Sequence, residues 1–467
     1  MMFYPFPKHF SWGSAIWAQG TEGAWDQDGR AATVYEKYHQ LQPERFYQQQ
    51  GPDETVDWYH RYPLYHDYLS QLNHQSFRTS ILWARLMPDG KNVDPQARDY
   101  YQTIFRDLKQ RGMDVYVVLY WFDMPVLFED RGGFGNREVI DDFVAYCHTC
   151  FALFDDLVDI WHIYNEPRVD ADLKYLDNRC YPNIVDFRYH SQVIFNMVLA
   201  HARVVECYKQ HHFKKKIGSV IDINHVYPRS QSAEDVQAAE IFALLNYRCF
   251  LDPLIHGRFA ENYFTTLAEI DAAPQFTPDD LQIIANNTID VLGINYYFPA
   301  RVKAKQRAPE AGEKKDRNAF YDFYDMPGRV MNTSRGWEIY PQALYDTLMM
   351  IKQDYRNVEC YISENGMGVE KEWNFRGANG EIQDDYRIEF LQQHLRCVHR
   401  AVTEGVNLRG YHLWSFIDLW SPSNQFKNMY GLVEFNPQTK ETRLKKSAHW
   451  YRQLIADNGF TLPDTEE

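Results

Sequence analysis

Nowhere in the 467 residues is there an apolar run long enough to cross a bilayer; the longest are about the length of a β-strand. The opening MMFYPFPKHF lacks a basic segment followed by an apolar one, so no secretory signal is expected. Cysteine is sparse, and the seven thiols are odd in number and scattered, which argues against a disulfide framework and for reduced thiols in the cytoplasm. Cys147 and Cys150 are spaced as CxxC, but inside the helical pattern DDFVAYCHTCFALF, where one half-buried helix face accounts for both. No GxGxxG follows an apolar strand and no GxxxxGK[ST] occurs, which removes two common phosphate cradles of nucleotide enzymes. Positive charge is in deficit: 49 basic against 64 acidic residues leave a net −15, a poor surface for nucleic acid or an anionic membrane, though a basic pocket inside an acidic protein stays open. No ligand cluster for a metal is visible, and neither metal nor organic cofactor is expected.

What is abundant is aromatic. Aromatic residues make up 16%, with 12 Trp and 33 Tyr, serving both core packing and the stacking of flat rings on apolar sugar faces. Along the chain, short apolar runs alternate with helical patterns. FSWGSA, SFRTSILW, VYVVLY, IWHIYN, IGSVIDI, DVLGINY, CYISEN and GYHLWSF read as strands; TVDWYHRYPLYHDYLSQL, ARDYYQTIFRDLKQRG and IEFLQQHLRCVHRAVTEG carry apolar residues at helical spacing. Continuous apolar strands fit a sheet buried on both sides. Eight strands separated by helices then predict a (β/α)8 barrel of the TIM type with long βα loops, an α/β fold occupying residues 1–467 as one domain. An open doubly wound sheet is the runner-up. Lys303 to Arg317, charged and poor in apolar residues, reads as a long surface loop, and Pro463 to Glu467 as a loose tail.

In a barrel, chemistry collects at the C-terminal ends of the strands. Two of these strands end in a glutamate beside a polar residue and a breaker. In IWHIYNEP, Asn165 and Glu166 precede Pro167, which ends the strand and starts a loop; in CYISENGMG, Glu364 precedes Asn365 and Gly366, which permits a tight turn. Two such carboxyls suit glycoside cleavage, one protonated to give a proton to the leaving oxygen, the other ionised to attack the anomeric carbon.

These segments resemble glycoside hydrolase family 1 over nearly the whole chain. FPKHFSWGSA…TEGAW is similar to the family's opening signature, SFRTSILWAR to its second-strand motif, YNEP to its acid/base motif and ISENG to its nucleophile motif, with LGINYY, YHLWSFIDLWS and NMYGLVEFN matching later elements. The resemblance implies a retaining β-glycosidase, with Glu166 as acid/base and Glu364 as nucleophile. It implies that Asn165 bonds the sugar 2-hydroxyl, that Arg78 keeps Glu364 ionised, and that Tyr297 and Asn295 orient it. Trp414 would stack under the reactive sugar, and Trp337 would flank the leaving group.

Members that act on plain glucosides carry a glutamate seven residues after the position of Trp414; here that residue is Ser421. A glutamate there repels a 6-phosphate, and a serine donates to it. With Lys427 and Tyr430 in SNQFKNMYG, and with DMPGR and QDDYRIEF, the chain resembles the 6-phospho-β-glucosidase branch. The expected partner is therefore a small phosphorylated β-glucoside, hydrolysed in the cytoplasm to glucose 6-phosphate; no nucleic acid or membrane is expected, and a homodimer is left open. Four positions bear on the pattern. The lysine usually found two before the tyrosine falls at Asn428, with Lys427 one place early; Pro422 stands where galactose-accepting members have tryptophan, which favours gluco over galacto. The family glutamine falls at Gly20, with Gln19 one place early, and the family histidine falls at Trp121. Since both usual residues bond the 3- and 4-hydroxyls, Trp121 is expected to fill the vacated space, with Gln19 or Trp17 compensating. The alternative is a β-glycosidase acting on plain or otherwise modified sugars.

Overall fold

The computed structural model describes residues 1–53, 55–306 and 316–463. Every strand anticipated from the apolar runs is present: β1 Ser11–Ala15, β2 Ser76–Ser80, β3 Asp114–Tyr120, β4 Ile160–Asn165, β5 Lys216–Asp222, β6 Val291–Asn295, β7 Cys360–Asn365 and β8 Leu408–Trp414. They hydrogen-bond in sequence order, all parallel, and β8 pairs with β1 to close the barrel. The strands are buried almost throughout, as continuous apolar runs require. Crossover helices return the chain between strands: α1 Trp58–Gln71, α2 Pro95–Gln110, α3 Arg137–Phe154, α4 Phe187–Gln210, α5 Ala233–Ala243, α6 Pro341–Asp354, α7 Asp385–Thr403 and α8 Lys446–Asp457. Their starts are written in the sequence. Asp94 accepts from the Ala97 amide ahead of α2, with Pro95 at the first helical position, and Asn136 and Asp186 cap α3 and α4 in the same way. Cys147 and Cys150 are buried on α3, and burial pushes both thiols up, which keeps them protonated and inert.

Local structure differs from expectation in three places. Pro167 opens a short helix, Pro167–Tyr175, because a proline at the first helical position gives up an amide that has no partner there anyway. Gly366 is required by close approach, since a Cβ there would lie 1.8 Å from the Trp414 carbonyl oxygen. Of the stretch Lys303 to Arg317, residues 307–315 lie outside the described residues. Its two ends are structured: Lys303 lies in the strand Ala300–Ala304, which pairs with Tyr321–Phe323 and Val226–Pro228, and Arg317 is ion-paired with Asp172 at 2.6 Å. In the tail, 464–467 likewise lie outside the described residues. No helix among the described residues is long and apolar enough to cross a membrane.

Beneath the loops after β7 and β8 lies a buried ionic knot. Lys445 donates to Asp418 at 2.8 Å and also contacts Glu372; Arg387 binds Glu372 and, at 2.9 Å, Asp384. The knot holds backbone as well as charge. Asp418 accepts from the Gly431 amide at 2.8 Å, and Arg387 donates to the Tyr430 carbonyl at 3.2 Å. The segment from Ser421 to Tyr430 is thus shaped from below by paired charges. Removing one partner strands the others in a medium that cannot solvate them. Replacement of Lys445 by methionine is expected to cost about 3–5 kcal/mol of stability, read as a lower denaturant midpoint at unchanged slope.

Candidate active site

The C-terminal ends of the strands open into a cleft of about 710 Å³. Glu166, directly after β4, and Glu364, within β7, face it together with Asn165, Tyr297, Trp121 and Trp414. Glu166 adopts a left-handed backbone conformation (φ 47°), a region that costs a non-glycine residue roughly 1–3 kcal/mol. Its amide donates to the Val220 carbonyl at 2.9 Å, and the helix after Pro167 fixes the following residues, so the carboxyl is held by both neighbours.

Each oxygen of Glu364 has its own donor. Arg78, from β2, reaches Oε1 with Nη2, and the Tyr297 hydroxyl donates to Oε2 at 2.6 Å. Asn295 serves the other carboxyl: its Nδ2 donates to Glu166 Oε1 at 2.7 Å and to Asn165 Oδ1 at 3.3 Å. Ser363 fixes the Asn295 amide by donating to its Oδ1 at 2.7 Å. Asn165 accepts from Arg78 at 2.8 Å, while its Nδ2 is buried without an acceptor among the described residues, a donor left for a ligand.

The electrostatics separate the two carboxyls. Burial pushes Glu166 well above the usual carboxylate range, and the charges of Glu364 and Asp222 push it further. Burial also raises Glu364, but Arg78, Tyr297 and Asn295 oppose the rise. The first proton therefore belongs on Glu166 and the negative charge on Glu364. Burial and the charge on Glu364 hold the Tyr297 phenol far above its ordinary value, so it stays a donor.

The remaining candidates divide. Trp414 lies 5.5 Å from Trp121, whose ring packs 4.3 Å from the Arg78 guanidinium. Trp17 lines the cleft and donates its indole N–H to the Trp121 carbonyl at 2.7 Å. Trp337, Ser421 and Tyr430 line the cleft. Gln19 and Lys427 do not. Gln19 is buried, donating to Glu36 at 2.7 Å and accepting from Arg30 at 2.9 Å, and this leaves Trp17 as the cleft residue from that motif. Lys427 turns outward to Glu370 at 3.9 Å and the Tyr47 ring.

Three cleft residues escaped the sequence reading. Asp222 ends β5, as Glu166 follows β4, and bonds Arg168. Phe298 stacks on Trp337 at 4.9 Å, and the Arg335 guanidinium packs over the Trp337 ring, 4.0 Å from its centroid. A carboxylate closing a barrel strand was a legible signal for Asp222; nothing local marks the other two.

A model of glycosyl hydrolase family 1 matches residues 2–460. The 6-phospho-beta-glucosidase GmuD of Bacillus subtilis is 42% identical over 98% of this chain and 99% of its own. A 6-phospho-beta-galactosidase of Streptococcus equi subsp. zooepidemicus is 33% identical over 99% of this chain and 100% of its own. Among solved structures, the family 1 β-glucosidase from Thermotoga maritima superposes with a TM-score of 0.90 at 28% identity, over 99% of this chain and 100% of that one. A closed barrel with two carboxyls at its mouth, matched in this way, is a β-glycosidase: the chain belongs to glycosyl hydrolase family 1.

Gly20 explains one departure from the family. A Cβ there would stand 2.3 Å from the Trp420 carbonyl oxygen. Restoring the family side chain by Gly20→Gln is expected to lower stability by about 1–3 kcal/mol through overpacking, seen as a lower thermal midpoint. An unchanged midpoint with improved turnover of plain glucosides would contradict this account.

Proposed function

We propose that the protein is a retaining 6-phospho-β-glucosidase. The observation that carries the mechanism is the opposite surroundings of two carboxyls in one cleft, Glu364 bonded by Arg78 and Tyr297 and Glu166 raised by neighbouring carboxylates, because double displacement needs an ionised nucleophile beside a protonated acid. In the first step an ionised Glu364 oxygen attacks the anomeric carbon. The bond to the leaving oxygen breaks as Glu166 gives that oxygen its proton. A glycosyl ester on Glu364 results. Glu166, now ionised, takes a proton from water as the water attacks the same carbon, and Glu364 leaves with its electron pair. The configuration is inverted twice and so retained. The unused Asn165 amide proton is placed to donate to the sugar 2-hydroxyl.

The phosphate reading is supported by Ser421 in place of a repelling glutamate, by Tyr430 lining the same cleft, and by the likeness to GmuD. Pro422 favours gluco over galacto, as argued from the sequence. A phosphorylated substrate also favours an intracellular site of action, after uptake. The outward turn of Lys427 is the observation on the side of a plain β-glycosidase. Chromogenic β-glucosides with and without a 6-phosphate, at equal concentration, separate the two. A strong preference for the phosphorylated one is expected; preference for the plain one leaves the retaining mechanism standing and removes the phosphate.

The pH profile tests the roles. Glu166 acts as an acid only while protonated, so its raised pKa sustains activity up to that value and activity is lost as pH rises through it. Glu364 must be ionised, so activity is lost as pH falls through its pKa. Replacement of Glu166 by glutamine is expected to lower kcat roughly 100- to 10,000-fold and to abolish the alkaline limb. Asp222→Asn removes a negative charge beside Glu166, and is expected to shift that limb to lower pH while the acid limb stays.

A further inference from the structure

Several arginines line the cleft, and most are already neutralised. Arg168 binds Asp172 and Asp222, Arg317 binds Asp172, Arg301 binds Glu338 at 2.6 Å, and Arg329 binds Asp325. Two differ: among the described residues neither Arg179 nor Arg335 has an ion pair, and it is Arg335 whose Nε is buried without an acceptor. Its guanidinium lies 4.0 Å from the centre of the Trp337 ring, which is itself stacked on Phe298 and packed 5.3 Å from Tyr297. A planar cation held flat on an aromatic floor has fixed direction and keeps its edge free for bonding in the plane.

Its place in the cleft is also specific. Arg335 sits between the strands Met331–Asn332 and Trp337–Glu338, a hairpin stitched to the segment after β8. Asn428 donates to the Ser334 carbonyl at 3.2 Å, and the Ser334 hydroxyl accepts from the Glu370 amide at 3.1 Å. Asn428 itself is occupied, accepting from Asn424 at 2.8 Å. The bond from Asn428 to Ser334 ties the residue before Arg335 to the segment that carries Tyr430, and Tyr297 links the two sides, its ring 5.3 Å from Trp337 and 6.5 Å from Tyr430. A phenol donor at Tyr430, a hydroxyl at Ser421 and an unpaired guanidinium, all lining one cleft, suit a dianionic oxygen cluster, which guanidinium groups meet with two parallel bonds.

We infer that Arg335 is the cation that reads the 6-phosphate in this protein, the charge being delivered by the hairpin after β6 instead of by Lys427. This rests on the phosphate reading above and deepens it: Arg335 is a specificity-determining residue that contacts the phosphoryl oxygens and takes no part in bond cleavage. A guanidinium bonded to a phosphate contributes to binding in ground and transition states alike, so its loss falls on KM more than on kcat.

The test compares the full-length protein with Arg335→Met, Arg335→Lys and Lys427→Met, on paired nitrophenyl β-glucosides with and without the 6-phosphate. Inhibition by inorganic phosphate is measured alongside, and thermal midpoints confirm folding. For Arg335→Met the ratio of kcat/KM between phosphorylated and plain substrate is expected to fall about 10- to 100-fold, through KM, with weaker inhibition by phosphate. Arg335→Lys, which keeps the charge and loses the fork, is expected to recover part of the ratio. An unchanged ratio in Arg335→Met, equal loss on both substrates, or a larger loss of the ratio in Lys427→Met overturns the assignment while leaving the phosphate reading intact. A wild-type protein that prefers the plain glucoside overturns both.

Discussion

The contact between Arg78 and Glu364 is the one on which the rest of the site depends. Arg78 rises from β2 into the barrel, fully buried, and a buried guanidinium is tolerable only beside an anion. Its surroundings are arranged around that charge. His162 and His412, buried nearby, are held well below the usual imidazole range by burial and by the Arg78 charge itself, so they stay neutral. They act as hydrogen-bonding spacers to Tyr361 and Ser76. Glu364 is left as the counter-charge. In the proposed reaction, what makes it a ready nucleophile is thus the same thing that makes Arg78 acceptable in the barrel interior.

Once Glu364 carries the negative charge, the character of Glu166 follows. A second carboxyl in the same water-poor cleft cannot also ionise without cost, and Asp222 adds a further negative charge from β5. Asp222 is itself anchored to Arg168, which binds Asp172, so the field on Glu166 comes from a fixed lattice of buried charges. Two chemically identical side chains acquire opposite electrostatic characters through what stands next to them: a cation and a phenol for one, two carboxylates for the other. Asn295 donates to Glu166 and to Asn165, and so fixes the raised carboxyl beside the neighbouring amide.

Legibility in the sequence tracks how local each cause is. The eight strands could be read because burial on both faces forces continuous apolar runs, and Glu166 and Glu364 because a strand end is a local address. The N-caps Asp94, Asn136 and Asp186 are local too. Arg78 is different: nothing in SFRTSILW says that its side chain meets a residue from β7, and only resemblance pointed to it. Gln19 and Lys427 were each one residue from the family position, and in both cases the displacement decides the outcome, since one residue on a helix or tight loop turns a side chain to another face. Gly366 and Gly20 read as turn or loss, yet both are explained by backbone oxygens from β8 or just beyond it, distant in sequence. Arg335 gave no signal, because its significance lies in what fails to pair with it, and that is a property of the assembled cleft.

The altered positions at Gly20 and Trp121 bear on the same question from the other end of the sugar. Gly20 cannot carry a side chain, and Trp121 turns an aromatic face toward Arg78 and Trp414. The polar contacts that the family resemblance implies for the 3- and 4-hydroxyls are therefore replaced by apolar surface with at most an indole donor. A hydrogen bond to a neutral hydroxyl contributes about 1 kcal/mol net, and one to a charged group roughly 1.5–3 kcal/mol. Two lost neutral contacts are of the size that one charged contact at the 6-position offsets. A cleft that has given up recognition at one edge of the ring can hold its substrate by an ionic grip at the other. The unpaired guanidinium stacked on Trp337 is where such a grip has its charge in place.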